Sequence, residues 1–544
     1  MEVPFGFTMD IAWNIDNIDF DNIPDYLEQY AAREFGDDLA SDIGEILWEF
    51  SHLIGLRKYE STHSGTFSTL HYHESERILA RWERLAARAT STYENDIDDD
   101  YKPAFYQLVY FPIISGKTYV SIQINIGLNY RYAWERRNAA NAIADQVRDD
   151  FDGSFDLIGE WDGILDGKWK HMMDQAVYDV NPQPPKVWAA PARDVLANLS
   201  YVQLRQNMPY AVGNMGIRAE GSDSAIQQAR LADSIESTLP AGLDDSSSVI
   251  LLPVSDRYTV PSRYFDLFAR GDYRVAMNWT LDAVPVDWLT IEPTSGVLDQ
   301  DNMVQRLNVS IDWDSVPEGF NENVNVGIRA DPAVYPYYDI LRIPVLDVRA
   351  PDDFQGFPAA AYIISIEAPH FQRSNSGGND TTIEFKKTPG LGTRSESGSI
   401  ALRPFAAAKS DRDGAQSASV EYDIYIFNKT DKVTATVYVN MCLETDPDNP
   451  LQYSLTVDDA PINMTRLMGD SETDPHSGDL PPEWMQRVTD MVWTRKVDLG
   501  SLDAGSHTIR WAADSPEVYL EKIVLDMGSY VKPSYLGPPE TPLL

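Results

Sequence analysis

The chain has 544 residues, 43% of them hydrophobic and 11% aromatic, enough to bury several cores and too long for one. Its 84 Asp and Glu against 44 Lys and Arg give a formal net charge of −40, a field that repels phosphate backbones and anionic membrane surfaces. Nucleic-acid and membrane partners are therefore not expected, and a single cysteine, Cys442, excludes an internal disulfide.

The opening run, MEVPFGFTMDIAWN, lacks a basic stretch followed by an apolar one and does not read as a signal peptide. From about residue 20 to 180 the pattern is helical. Asn22 with Pro24 marks a helix start and Gly36 its end. Leu39, Ile43, Ile46, Leu47, Phe50 and Ile54 recur at helical spacing, as do Ile78, Leu79, Trp82, Leu85 and Ala89. The long apolar run 103–151 is expected to kink at Pro112, with Gly116 and Gly127 allowing close helix contacts. A last helix is expected over 154–175, and short loops between these elements indicate an antiparallel bundle.

NPQPPKVWAAP, 181–191, breaks that pattern, and 181–247 reads as linker and irregular chain. Short strand-like runs then fill 248–349, the size of an immunoglobulin-like sandwich. Residues 358–530 hold enough strands for a jelly roll, and 531–544 form a Pro-rich extended tail. The fold class expected is thus multidomain: an all-α helical bundle followed by two β-sandwich domains.

Four groups of residues invite a chemical reading. His171 and Asp174 in GKWKHMMDQ sit three apart, but no H-E-x-x-H pattern supports zinc, and on a helix the pair reads as packing. His71, Tyr72, His73 and Glu74 begin a helix, where Glu74 and Glu76 also suit the helix dipole. GLGTRSESG, 390–398, precedes a strand rather than a helix and fails as a phosphate loop. Trp493 and Trp511 read as core before they read as a sugar platform. No catalytic, cofactor-binding or metal-binding residue is assigned, and sugar-binding residues remain unassigned. Sequons at Asn198, Asn278, Asn308, Asn379, Asn428 and Asn463 hint at a secreted glycoprotein.

Several runs together resemble glycoside hydrolase family 115, the xylan α-1,2-glucuronidases. They are FTMDIAWN, NIPDYLEQYAAREFG, HYHESERILARWERL, YKPAFYQLVYFPI, NYRYAWERRNAANAIADQVR and GKWKHMMDQ, then YFDLFARGDYRVAMNWTL, WLTIEPTSG, SIEAPHF, PGLGTRSESGSIAL and PSYLGPPE. The resemblance implies a secreted inverting hydrolase that removes (4-O-methyl)glucuronic acid from glucuronoxylan with paired carboxylates in a (β/α)8 barrel. No stretch here supplies eight βα units. This chain is therefore expected to be the accessory region after the barrel, with 1–19 the final barrel strand and exit, 20–180 the bundle, and no activity of its own. A stand-alone carbohydrate-binding or dimerisation module is the alternative. The family's run continues Gln-Thr-His where this chain has Gln175, Ala176 and Val177, so GKWKHMMDQ is expected to anchor the bundle against its neighbours. Some related jelly rolls hold a structural Ca²⁺ through Glu-Ala-Glu and a final-strand Asp. Glu367 and Asp526 match two positions, and Pro369 replaces the second Glu.

Overall fold

The computed structural model describes residues 2–20, 22–173, 196, 199–205, 213–222, 248–331, 337–378, 382–444, 446, 448–468 and 483–544. Seven helices lead: α1 (Glu2–Trp13), α2 (Ile23–Phe35), α3 (Ala40–Gly55), α4 (Glu74–Ser91), α5 (Lys102–Phe105), α6 (Phe111–Trp134) and α7 (Ala140–Gly163). The run expected to be a barrel strand is the helix α1, with Phe5, Met9 and Trp13 exposed along one face. None of the helices is long and apolar enough to cross a membrane among the described residues.

The periodic positions build the core. Ile43, Ile46 and Leu47 of α3 and Ile78, Trp82, Leu85 and Ala89 of α4 are buried around α6, the central helix. Residues 106–110 wind as a π-helical turn just before Pro112, whose missing N–H cannot close the ordinary ladder there. Both α6 glycines sit at close approaches. A Cβ on Gly127 would stand 2.3 Å from the Ser64 carbonyl oxygen, and one on Gly116 would meet Trp82 and Tyr59 at 2.7 Å. Phe105, Tyr106, Phe111 and Tyr119 are buried and Tyr110 half-buried.

The run divides again at 135–139, between α6 and α7, where Arg136 adopts φ +59°. Past Gly163 the chain leaves the helix through Leu165, Asp166 and Gly167, all at positive φ. The helix expected to reach residue 175 therefore ends before GKWKHMMDQ. His171 is exposed in a turn, with its amide donating to the Asp162 carboxylate at 2.9 Å. Met172 is 60% exposed, so the motif is no inward-facing anchor as far as Met173. Asp174 and the rest of that run, with 181–191, lie outside the described residues.

The first sandwich packs the sheet β1 (Gly213–Ala219), β4 (Tyr264–Gly271), β8 (Val304–Ile311), β6 (Leu289–Glu292) onto a second. That second sheet orders β2 (Ser248–Leu251), β10 (Tyr337–Leu346), β9 (Asn321–Asp331), β5 (Met277–Leu281) and β7 (Ser295–Leu298), with β3 (Ser255–Asp256) also paired to β10. β1 lies inside the stretch expected to be irregular. Its glycines hid the strand pattern, and Gly216 is required because a Cβ there would strike the Phe268 ring at 2.2 Å.

The second sandwich joins the sheet β11 (Phe357–Pro358), β16 (Ser419–Ile426), β21 (Gly505–Ala513), β18 (Gln452–Val457), β19 (Thr465–Arg466), carrying β13 (Arg373–Asn375) on β16, to another. Its partner runs β14 (Glu384–Thr388), β15 (Ser399–Arg403), β22 (Leu520–Asp526), β17 (Thr430–Asn440), β20 (Val492–Leu502), with β12 (Ile363–Glu367) on β22. Trp493 and Trp511 are wholly buried between them; the Trp493 indole donates to the Cys442 carbonyl at 2.7 Å and Trp511 stacks on Tyr453. The tail returns along the domain, Thr541 N–H donating to the Ser365 carbonyl and Leu544 N–H to that of Gly356.

Candidate binding cleft between the bundle and the second sandwich

His71 to Glu74 work as a joint. Tyr72 and His73 both take left-handed backbone, which turns the chain into α4 and buries Glu74 completely. The Glu74 carboxylate accepts the amides of Ser68 (2.6 Å), Tyr535 (3.0 Å) and Leu536 (2.5 Å), fastening the tail to the bundle. Burial raises its pKa against those bonds. His73 Nδ1 lies 2.8 Å from Glu76, which also accepts Arg306 of β8 at 3.0 Å. Burial would raise the Glu76 pKa, but these two partners outweigh it and hold it near about 2. The cluster that reads in sequence as a helix start is an inter-domain clasp.

A buried ionic lattice continues from it. Arg218, Asp266 and Arg306 are register neighbours on β1, β4 and β8. Asp266 accepts Arg218 at 3.0 Å and Arg306 at 2.9 Å, and lies 3.7 Å from Arg137. Glu135, from the break between α6 and α7, pairs with Arg137 and stands 3.6 Å from Arg218. The Arg137 guanidinium covers the Phe268 ring at 4.1 Å. Burial would raise the Asp266 pKa, yet the surrounding guanidinium groups hold it below the usual range.

A cavity of about 880 Å³ opens between α3, α4 and the second sandwich. Arg77, Arg81, Arg84 and Arg88 recur on one face of α4, opposite Glu45, Trp48, Glu49 and His52 of α3. Arg81 forks onto Glu49 at 2.9 and 3.2 Å, and Arg88 reaches Glu45 at 2.9 Å. Arg84 is exposed and carries no ion pair among the described residues. Arg77 lies 3.8 Å from Glu396, and its buried Nε has no hydrogen-bond partner.

The far wall is GLGTRSESG and the strand pair beneath it. That loop joins β14 to β15, and its amides do cradle anions, supplied by the protein itself. Thr393 and Arg394 donate to Glu521 at 2.7 and 2.8 Å, and Glu396 and Ser397 donate to Glu367 at 3.0 and 2.8 Å. Gly390, at φ +75°, packs closely against Trp48, where a Cβ would stand 2.2 Å from the ring. Trp48 meets the His52 ring edge-on at 4.6 Å, and burial lowers the His52 pKa. Lys522 faces Glu367 across the strand pair and donates to the Pro538 carbonyl at 2.6 Å. Burial pushes its pKa down to about 8 despite Glu367 and Glu540 nearby.

Glu367 and Asp526 do not converge. Asp526 pairs in register with Ile363, four residues along β12 from Glu367, and its carboxylate caps a turn through Gly528 and Tyr530. Glu367 instead groups with His370 and Glu540, the set among the described residues whose ligand atoms lie within 4.8 Å of one another. These groups already satisfy each other: His370 Nδ1 lies 2.8 Å from Glu540, which accepts the Glu367 amide at 2.9 Å. Sequence reasoning missed the arginine face of α4, although its spacing was visible.

Two family models match the chain in order. Glycosyl hydrolase family 115 covers residues 1–61, and the Glycosyl hydrolase family 115 C-terminal domain covers 356–540, the second sandwich with its tail. The chain belongs to glycoside hydrolase family 115. Among solved structures it is similar to BtGH115A, described as a family GH115 4-O-methyl-α-glucuronidase with specificity for decorated arabinogalactans. That likeness has 13% identity and a TM-score of 0.49, covering 97% of this chain and 44% of that one. This family 115 chain thus spans less than half the length of that enzyme. Weaker likenesses are to the C-terminal CBM6 of LamC from Zobellia galactanivorans (11% identity, TM-score 0.18, covering 30% of this chain and 98% of that one). The Podospora anserina GH26-CBM35 β-(1,4)-mannanase gives 11% identity, a TM-score of 0.19 and coverage of 31% and 29%. No curated protein sequence matches.

Proposed function

We propose that this chain is the accessory, non-catalytic region of a secreted α-glucuronidase that removes (4-O-methyl)glucuronic acid from glucuronoxylan. In this reading the first sandwich is immunoglobulin-like and the second a jelly roll, and together with the bundle they brace a catalytic barrel. Chief support comes from the packing. Glu135, Arg137, Arg218 and Asp266 bury their charges where bundle meets first sandwich, with Arg306 half-buried beside them, and Glu74 ties the bundle to the tail of the second. Such rigid joints suit a brace better than a set of independent modules. The test is incubation of the purified chain with aldouronic acids: no free 4-O-methylglucuronic acid is expected, and its release overturns the reading.

A second reading is favoured by the exposed face of α1. Phe5, Met9 and Trp13 form an apolar strip that suits assembly, including a homodimer. Sedimentation of the chain against a Trp13→Glu variant separates the two: an unchanged monomeric mass in both removes dimerisation.

A further inference from the structure

The geometry points to the bundle–sandwich cleft as a binding site for a uronate-bearing oligosaccharide, an inference that rests on the family's action on saccharides. The site is a cavity of about 880 Å³ in a chain whose net charge is −40, yet its α4 wall is a line of guanidinium groups. At a rise of about 1.5 Å per residue, Arg77 to Arg88 span about 16 Å, room for several sugar rings in a row. Two of these arginines have unspent donors. Arg84 is exposed without an ion pair among the described residues, and Arg77 keeps a buried Nε without a hydrogen bond.

A planar guanidinium fork matches a carboxylate through paired charged hydrogen bonds. Trp48, packed against Gly390 and flanked by His52, gives the same cleft an aromatic side chain of the kind that packs on the apolar face of a pyranose. Glu45 and Glu49 spend their charge on Arg88 and Arg81, and Glu367 spends its own on the amides of Glu396 and Ser397. These acids are engaged, and Glu396 lies 3.8 Å from Arg77, which leaves Arg84 as the arginine of this row with no ion pair among the described residues to meet a ligand anion. A polyphosphate chain would face the same donors but the repulsion of the whole molecule. A sugar carrying one carboxylate per few rings needs less charge.

The experiment is calorimetric titration of the full chain with 4-O-methylglucuronosyl xylotetraose, with its carboxyl-reduced alcohol, and with trigalacturonate. The acidic xylo-oligosaccharide is expected to bind about ten-fold or more tightly than its reduced form, because charged hydrogen bonds are lost on reduction. Arg84→Ala should weaken binding by about ten-fold while the unfolding midpoint stays put, since Arg84 is exposed and makes no hydrogen bond or ion pair among the described residues. Binding of trigalacturonate as well would support a site for uronates in general, and its exclusion a site for glucuronosyl groups. Equal affinity for acid and alcohol, no binding of either, or an unaffected Arg84→Ala variant overturns the site and leaves the brace reading intact. Release of free uronic acid during the titration overturns the brace reading and leaves the site standing.

Discussion

Glu74 and Leu536 lie far apart in sequence and 2.5 Å apart in space, the α4 carboxylate accepting the amide of the tail. With the Tyr535 amide on the same carboxylate, this contact converts a Pro-rich extension into a strap across the molecule. Tyr535 completes it, its hydroxyl donating to Leu56 and its ring lying under Arg57 and Arg394.

Glu74→Ala leaves the amides of Ser68, Tyr535 and Leu536 without their acceptor in a buried site. At about 1–3 kcal/mol per orphaned buried group, partly relieved by water, a net loss of about 3 kcal/mol is expected. Urea unfolding measures it, and limited proteolysis should then cut within 529–544. Glu74→Gln, which keeps an acceptor, should lose less.

Asp266→Asn removes the acid shared by Arg137, Arg218 and Arg306. Uncompensated buried cations should lower stability by about 3–5 kcal/mol. Asp282→Asn, whose partner Arg329 is exposed, serves as control and should change little. Equal unfolding free energies for the two variants would refute a structural role for the lattice.

Lys522 titrates near about 8 in the folded chain against an ordinary 10.5. Between these values the unfolded chain holds the extra proton, so this residue's contribution to stability rises with pH over that window and is flat below it. Lys522→Met should abolish that rise, so the wild-type midpoint should climb relative to that of the variant from pH 7.5 to about 10.

Gly127→Ala would place a methyl 2.3 Å from the Ser64 carbonyl oxygen, which is backbone and yields poorly. A loss of about 1–3 kcal/mol is expected from overpacking. The same change at Gly159, with nothing within 4 Å, should be neutral or slightly stabilising. Thermal unfolding distinguishes them.

The helical region was legible because its apolar residues follow the helical period: Ile78, Trp82, Leu85 and Ala89 all point inward. Gly116 and Gly127 were also legible, as glycines inside an apolar helix. The charged lattice was not. Arg218, Asp266 and Arg306 look like solvent-facing members of alternating strands, and only the bundle seated on that face buries the first two and half-buries the third. GKWKHMMDQ misled in the opposite sense, because its Trp and Met residues suggest a buried face while positive-φ residues just before it turn the chain outward. The arginine spacing on α4 could be read, but its opposing wall comes from Glu367, the 390–398 loop and the tail, which no local pattern connects to it.

The central claim is that bundle and sandwiches act as one braced unit. Urea unfolding followed in parallel by far-UV circular dichroism and tryptophan fluorescence tests it most directly. Coincident transitions are expected in the wild-type chain, and they should separate when Asp266→Asn and Glu74→Ala are combined. Transitions already separate in the wild-type chain, with the helical signal lost independently of the β-domains, would contradict it.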